Sequence, residues 1–181
     1  IKSINPNIKT VEEFKIDVEQ KIKENFQDRS NTSYQRDLTD ALINLIDPSF
    51  SPSMVSNYLD NLVEDVKKEN KGEPLDEEKV REHYKSVAER NIKWYSIRNK
   101  LIKNQDISAS KEDIDLEINK FIKNAPNSEK EIRTFYKKPS SKKRIEDDII
   151  EKKIIDYLEQ FTEIKNVEVL TKDLRGQKHE H

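Results

Sequence analysis

Few residues in this sequence are suited to catalysis or metal binding. The 181 residues include three histidines and no cysteine. His179 and His181 form a His-Glu-His end, a spacing that can capture a metal ion, but two imidazoles at a chain end ordinarily have no function. His83 lies beside Tyr84 in a predicted helix, where packing or solvent exposure is the ordinary role. We therefore expect no catalytic residue, no metal and no cofactor.

Clusters of charged residues have equally simple explanations. Glu77 and Glu78 lie near Lys residues on a predicted helix, which is typical of a solvated helix face. The basic stretch from Lys137 to Arg144 could contact RNA, but a solvated turn is the simpler interpretation. With 2 Gly in the whole sequence, no phosphate-binding loop is indicated. Neither an enzyme nor a specific nucleic-acid partner is expected.

Composition predicts a thin core and no membrane partner. Apolar residues make up 33% and charged residues 39%, yet 34 basic against 36 acidic residues leave a net charge of only -2. Such a balance is typical of exposed amphipathic helices. No apolar run is long enough to cross a bilayer, and no signal-peptide pattern is present. The absence of cysteine favours a reducing compartment. Because the sequence starts at Ile1 without Met, we expect it to be part of a longer protein.

One predicted helix, from Thr10 to Ile46, organises the rest of the chain. Thr10 and Glu13 form a capping box, and no Gly or Pro follows before Pro48. Its apolar residues recur mostly four apart, which is helical spacing. At 1.5 Å per residue the helix would be roughly 54 Å long, which predicts an elongated protein. Because steps of four overshoot the helical turn, the apolar stripe winds around the helix, so we expect a spine that meets different partners along its length.

Two helical arms are predicted after this spine. Ser51-Pro52 begins a helix that ends near Asn70, and a second helix runs from Asp76 to Asn104, which together predict an antiparallel hairpin. The predicted seam of the second helix contains Val80, Tyr84, Val87, Asn91, Trp94, Arg98 and Leu101, spaced as in a coiled coil. Asn91 and Arg98 in such a seam are expected to fix its register.

The second arm is predicted to contain three helices. Capping boxes begin the first two, Ser110 with Asp113 and Ser128 with Glu131. The third helix runs from about Lys142 to Phe161. The prediction is thus an all-α, elongated body: lead-in and spine over residues 1–49, first arm over 50–105, second arm over 106–162 and an extended tail over 163–181. Within the tail, residues 167–171 are expected to pack along the helices.

Helical arms of this kind cannot bury all their apolar residues. The wide apolar face of the first arm and the adjacent Trp94-Tyr95 pair are expected to be partly exposed, and contiguous exposed apolar patches mark binding surfaces. Several weak contacts of this type suit extended or unfolded chains, because they combine through effective concentration.

Four stretches of the sequence carry a family resemblance: residues 11–22, 50–55, 90–102 and 132–158. In order and pattern they resemble the C-terminal domain of bacterial trigger factor, a ribosome-associated chaperone. The resemblance implies an ATP-independent chaperone module whose two arms form a cradle for nascent or unfolded polypeptides in the bacterial cytoplasm. It leaves open whether the chain forms a homodimer. Ribosome docking and prolyl isomerisation belong to other domains of such proteins, so this chain is expected not to be an enzyme.

Eight residues on the predicted apolar faces are expected to contact clients: Met54, Tyr58, Leu62, Tyr95, Ile132, Phe135, Tyr136 and Ile150. Three alternative functions stay open at this point. The chain could be the helical part of a periplasmic SurA-like chaperone, which has a similar frame. It could be a helical adaptor with one folded partner. The third and least supported alternative is that this segment itself isomerises prolyl bonds.

Overall fold

The computed structural model describes residues 10–70 and 74–169, and every regular element among them is a helix. The helices are α1 (Val11–Ile46), α2 (Pro52–Glu69), α3 (Glu77–Asn104), α4 (Lys111–Asn124), α5 (Glu129–Tyr136) and α6 (Pro139–Glu159), with a 3-10 turn at Pro126–Ser128. The predicted all-α class is confirmed. The chain divides into two compact units between Gln105 and Asp106, and the arrangement of a spine with two arms stays a prediction.

Local capping fixes three helix starts where the sequence predicts them. At α1, Thr10 Oγ1 accepts the Glu13 backbone N–H at 3.1 Å, while Glu13 Oε2 accepts the Thr10 N–H at 3.1 Å. Ser110 and Asp113 form the same reciprocal pair at α4. At α3, the Asp76 carboxylate accepts the Lys79 N–H at 3.2 Å. Each contact satisfies a backbone donor that has no partner within its own helix.

Three local predictions for the second unit are wrong. Ser128 lies in the 3-10 turn and makes no side-chain capping bond, so the predicted box with Glu131 does not form. Helix α6 begins at Pro139, before the predicted start at Lys142, because proline is tolerated at a first helical position where no N–H is needed. Residues 162–169 are exposed and do not pack along the helices; the rest of the predicted strand, Leu170 and Thr171, lies outside the described residues.

Helix α1 is buried only near its C-terminal end. Among its described residues, Thr39 and Ile43 are buried, whereas Val11 and Ile22 are about half exposed. The predicted series of partners along its whole length stays a prediction. An apolar stripe is buried only where another element covers it, and in the first unit α3 covers the last turns of α1.

Polar contacts fix the end of α1 on α3. Arg90 Nε donates to Asp40 Oδ1 at 2.6 Å, and Arg90 Nη2 donates to Thr39 Oγ1 at 3.1 Å. Lys93 Nζ lies 2.5 Å from Asp47 Oδ1. Asp47 ends α1 in the left-handed conformation, with φ 40°, and its N–H donates to the Ile43 carbonyl at 2.8 Å. The turn into α2 is therefore held by α3.

The predicted hairpin of α2 and α3 is observed, but its contact line differs from the predicted seam. Val55, Leu59, Ala88 and Ile92 form its buried cluster. Val87, assigned to the seam, is 44% exposed, whereas its neighbour Ala88 is fully buried. A straight α-helix drifts from a strict heptad repeat, and the small Ala88 side chain lets α2 approach closely.

Three helices of the second unit share a smaller core. Ile114, Ile145 and Ile149 form its buried cluster, with Ile118 and Tyr136 packed against it. Lys153 Nζ on α6 donates to Asp113 Oδ2 at 2.6 Å and to the Ser108 carbonyl at 2.9 Å. The Lys153 ammonium, followed by the Ser110 backbone and hydroxyl donors, lowers the pKa of Asp113 to about 2. The same carboxylate thus caps α4 and ties it to α6.

Replacing Arg90 should loosen α1 from α3. We expect Arg90→Ala to lower the free energy of unfolding by about 1–2 kcal/mol, because it removes the hydrogen bonds that Arg90 donates to the Asp40 carboxylate and to the buried Thr39. Urea unfolding followed by circular dichroism measures the change. Arg36→Ala is the matched control: its Nε lies 3.7 Å from Asp40 Oδ2 and its side chain is 75% exposed, so its effect should stay below about 0.5 kcal/mol. Equal losses would contradict the assigned anchor.

Replacing Asp113 should make stability less dependent on acid pH. A carboxyl group whose pKa is lowered in the folded state stabilises that state above its unfolded pKa, and the contribution is lost as pH falls through the folded value. Asp113→Asn should therefore be less stable than the parent at pH 7, and the difference should shrink as pH falls from about 4 towards 2. Thermal unfolding across this pH range tests it, with the exposed Asp115→Asn as control. A difference that stays constant down to pH 2 would refute the assignment.

Candidate functional site

An open groove of about 530 Å3 lies between α2 and α3. Its lining residues are Met54, Asn57, Tyr58 and Asn61 from α2, and Asn91, Ile92, Trp94, Tyr95 and Arg98 from α3. Apart from Ile92, each set follows the spacing i, i+3, i+4, i+7, which places its members on one helix face. The volume lies within the range of protein sites that bind small molecules or short segments.

Apolar and aromatic side chains are accessible in this groove. Met54 is 41% exposed and Tyr95 is 58% exposed, one on each helix. Tyr58 and Trp94 are half-buried, and Ile92, which also lines the groove, is buried as part of the hairpin core. A ligand with an apolar side chain would therefore bury surface from both helices.

The polar groups of the groove are neutral: the amides of three asparagines, the hydroxyls of Tyr58 and Tyr95, and the indole N–H of Trp94. Arg98 is the single charged residue among the lining residues. Asn91 Nδ2 donates to Tyr58 Oη at 2.8 Å and so links the two helices. A hydroxyl that accepts one hydrogen bond keeps its own proton for donation. Tyr58 is thus held in position and can still donate to a ligand. Asn57 and Asn61 are exposed one helical turn apart.

The packing behind the groove fixes the separation of its walls. Tyr58 and Leu62 pack against the cluster that contains Leu59, Ala88 and Ile92. At the start of α2, Phe50 also contacts this cluster and lies 5.8 Å from Lys93 Nζ, measured to the ring centroid. The groove is therefore lined by residues that lie next to, or belong to, the main core of the first unit.

Three of the eight predicted contact residues come together in this groove: Met54, Tyr58 and Tyr95. Leu62 is half-buried against the hairpin core and does not line the groove. Asn57 and Asn61 were not among the predicted residues, and Asn91 and Arg98 were expected to fix the register of the helices. Their helical spacing with Met54 and Trp94 was the available signal. A role in client binding stays a prediction for all eight residues.

The other four predicted residues lie in the second unit. Phe135 is 50% exposed, whereas Ile132, Tyr136 and Ile150 are half-buried. The Tyr136 ring stacks on Phe121 with centroids 5.7 Å apart and meets the Phe135 ring edge-on at 5.1 Å. Tyr136 also packs against the core of this unit. Phe135 is therefore the most accessible of the four.

Basic residues of the second unit border a smaller depression of about 270 Å3. Lys111, Arg133, Lys137 and Lys142 line it together with Asp115. Arg133 Nε lies 2.8 Å from Glu129 Oε1, and Lys142 Nζ lies 3.8 Å from Glu146 Oε1. Two of these cations thus have carboxylate partners one turn away on their own helices, as on a solvated helix face.

Metal-binding clusters and membrane-spanning helices are both absent from residues 10–70 and 74–169. No group of three or more His, Cys, Asp or Glu residues there is placed to hold a metal ion. No described helix combines the length and apolar character needed to cross a membrane. His83 is exposed, and its ring meets Tyr84 edge-on with centroids 4.8 Å apart. His179 and His181 lie outside the described residues.

Curated relatives of this chain are trigger factors. A trigger factor of Salinibacter ruber is 28% identical over 157 residues, which cover 82% of this chain and 33% of the relative. Trigger factors of Gluconobacter oxydans and Clostridium botulinum are 26% and 24% identical, and the matches cover 82% of this chain and 35% and 37% of those proteins. The chain thus spans about a third of the length of the curated relatives it matches. No solved structure matches it.

Residues 10–160 match the family described as the bacterial trigger factor protein (TF) C-terminus. The match includes all of α1 to α6 and the whole groove between α2 and α3. Together with its all-helical fold, it shows that the chain belongs to the trigger factor C-terminal family, the chaperone-related part of trigger factor rather than its prolyl isomerase domain.

Proposed function

We propose that this domain holds exposed apolar segments of unfolded or nascent polypeptides, without ATP, in the groove between α2 and α3. The observation that carries the proposal is the exposure of Met54 and Tyr95 across this groove in a chain of a chaperone-related family. Apolar surface kept open beside a well-packed core is typical of a binding site. An unfolded client supplies the apolar side chains that would cover it.

A second, weaker contact surface is proposed around Phe135. This exposed ring lines a shallow depression together with Lys130, Thr134 and Lys138. One aromatic ring on such a surface binds weakly by itself. A client that reaches both surfaces gains affinity, because the second contact becomes intramolecular.

Binding and release are the whole activity proposed for this domain. We place the complete protein in the bacterial cytoplasm. We assign ribosome docking and prolyl isomerisation to regions other than this domain. The groove then needs only to delay aggregation of a client until the client is released.

Suppression of aggregation tests the proposed function. A chemically unfolded client is diluted into buffer with and without this chain, and light scattering is recorded. We expect near-stoichiometric chain to suppress scattering and the same client in its folded state to show no binding. No suppression by a soluble, helical chain would overturn the proposal. Saturable binding to one folded protein would then support the adaptor alternative.

Replacing the exposed groove residues should weaken client binding without unfolding the domain. We expect Met54→Ser with Tyr95→Ser to weaken binding of an unfolded client roughly tenfold. The reason is that serine offers the client much less apolar contact area in the groove than methionine or tyrosine does. The matched control is Leu45→Ser with Val87→Ser, two exposed apolar residues of the same unit outside the groove. Fluorescence anisotropy measures affinity, and circular dichroism measures helicity. Equal weakening by both pairs would remove the groove from the proposal.

Substitutions of the adjacent residues Phe135 and Tyr136 should have different effects: one should mainly weaken client binding and the other should mainly lower stability. Tyr136→Ser should lower the free energy of unfolding by about 2–3 kcal/mol, because Tyr136 packs on the Ile114 cluster and on Phe121. Phe135→Ser should cost below about 1 kcal/mol yet weaken client binding, because Phe135 is 50% exposed. Urea unfolding and client titration measure the two effects. Unchanged client affinity in Phe135→Ser would exclude the second surface.

A further inference from the structure

We infer that the groove recognises the backbone of an extended client strand through the side-chain amides of Asn57 and Asn61. The inference deepens the proposed function and rests on it. It assigns a ligand class: extended peptide segments, selected by backbone hydrogen bonding and by the apolar side chains that the groove admits.

The groove lacks the charge that dominates the rest of the sequence. Charged residues make up 39% of the chain, but Arg98 is the single charged residue lining this groove. The exposed positions beside Met54 and Tyr58 are instead occupied by Asn57 and Asn61. A solvated helix face in this chain would be expected to contain Lys and Glu there. Neutral amides indicate a ligand that offers both donors and acceptors.

Helix geometry gives these two amides the repeat of an extended chain. Residues four apart on a helix are separated by about 6 Å along its axis. Alternate residues of an extended chain are separated by about 6.6–6.8 Å and present their backbone groups to the same side. An Asn amide offers one acceptor and two donors, so it can pair with both the N–H and the C=O of one residue. Asn57 and Asn61 can therefore bind residues i and i+2 of one strand.

The remaining groove groups fit a strand in this position. Side chains of an extended strand stand roughly perpendicular to its hydrogen-bonding direction. With the strand edge on Asn57 and Asn61, alternate client side chains point towards Ile92 and between Met54 and Tyr95. The Tyr58 hydroxyl, held by Asn91 at 2.8 Å, supplies a further donor for the carbonyl of residue i, which faces the same edge of the strand and has a second lone pair.

Single backbone esters in a client peptide test this inference directly. An ester removes the N–H donor at one position without adding bulk. The probe is a short peptide with one central Phe in a Ser/Thr background, with esters introduced one position at a time. Trp94 is the single tryptophan of the chain and lines the groove, so its fluorescence reports binding there. The variants are Asn57→Ala with Asn61→Ala, and the exposed Asn99→Ala on α3 as matched control.

The expected result is a period-two pattern. Esters at two alternate positions should weaken binding about threefold to tenfold each. The ester between them should have a smaller effect, because it removes no N–H that pairs with Asn57 or Asn61 and only weakens one carbonyl acceptor. The pattern should persist in Asn99→Ala and disappear in Asn57→Ala with Asn61→Ala. Binding that is insensitive to esters, or equally sensitive in the double variant, overturns the inference but leaves the proposed function standing. No Trp94 response to any peptide overturns both.

Discussion

Close packing on two faces of α3 is the constraint on which the first unit depends. On one face, Ala88 and Ile92 meet α2 in the main buried cluster. On another, Arg90 and Lys93 bind the end of α1. Because only 33% of the residues are apolar, few are available to form a core for each pair of helices. In the first unit, α3 therefore packs against both α1 and α2. A larger side chain at position 88 would force α2 away, and the groove walls would move with it.

This arrangement shows which parts of the fold are readable from the sequence. The starts of α1, α3 and α4 are predictable because capping is a local interaction between residues three apart. Burial is not local. Val87 and Ala88 are equally plausible seam residues by type, and only the approach of α2 decides that Ala88 is buried. In the same way, the apolar stripe of α1 has helical spacing throughout, but within the first unit the buried residues of this helix are Thr39 and Ile43, in the turns beside α3.

The candidate site was readable in part for a related reason. Met54, Tyr58 and Tyr95 are predictable as contact residues from their hydrophobicity, whereas the asparagine amides beside them are not. Asn91 was interpreted as a residue that fixes register, and its bond to Tyr58 Oη does join the two helices. That this bond also positions a groove hydroxyl depends on the rotation of α2 about its own axis, which spacing alone does not give. In the second unit, Tyr136 and Phe135 are adjacent and both aromatic, and only packing separates the core residue from the exposed one.

A protein that holds many different clients needs a surface that adapts to them, and methionine is the side chain most used for that purpose. This chain has 1 Met, at the groove. Amides offer another route, because every client has the same backbone whatever its side chains are. Hydrogen bonds to that backbone add little net free energy each, which suits a contact that must be reversible. Charges placed in the groove would instead select clients by sign and would have to be desolvated on binding. Amides and aromatic rings line the groove, with Arg98 as its single charged residue; this distribution fits the reversible binding of unfolded chains that we propose.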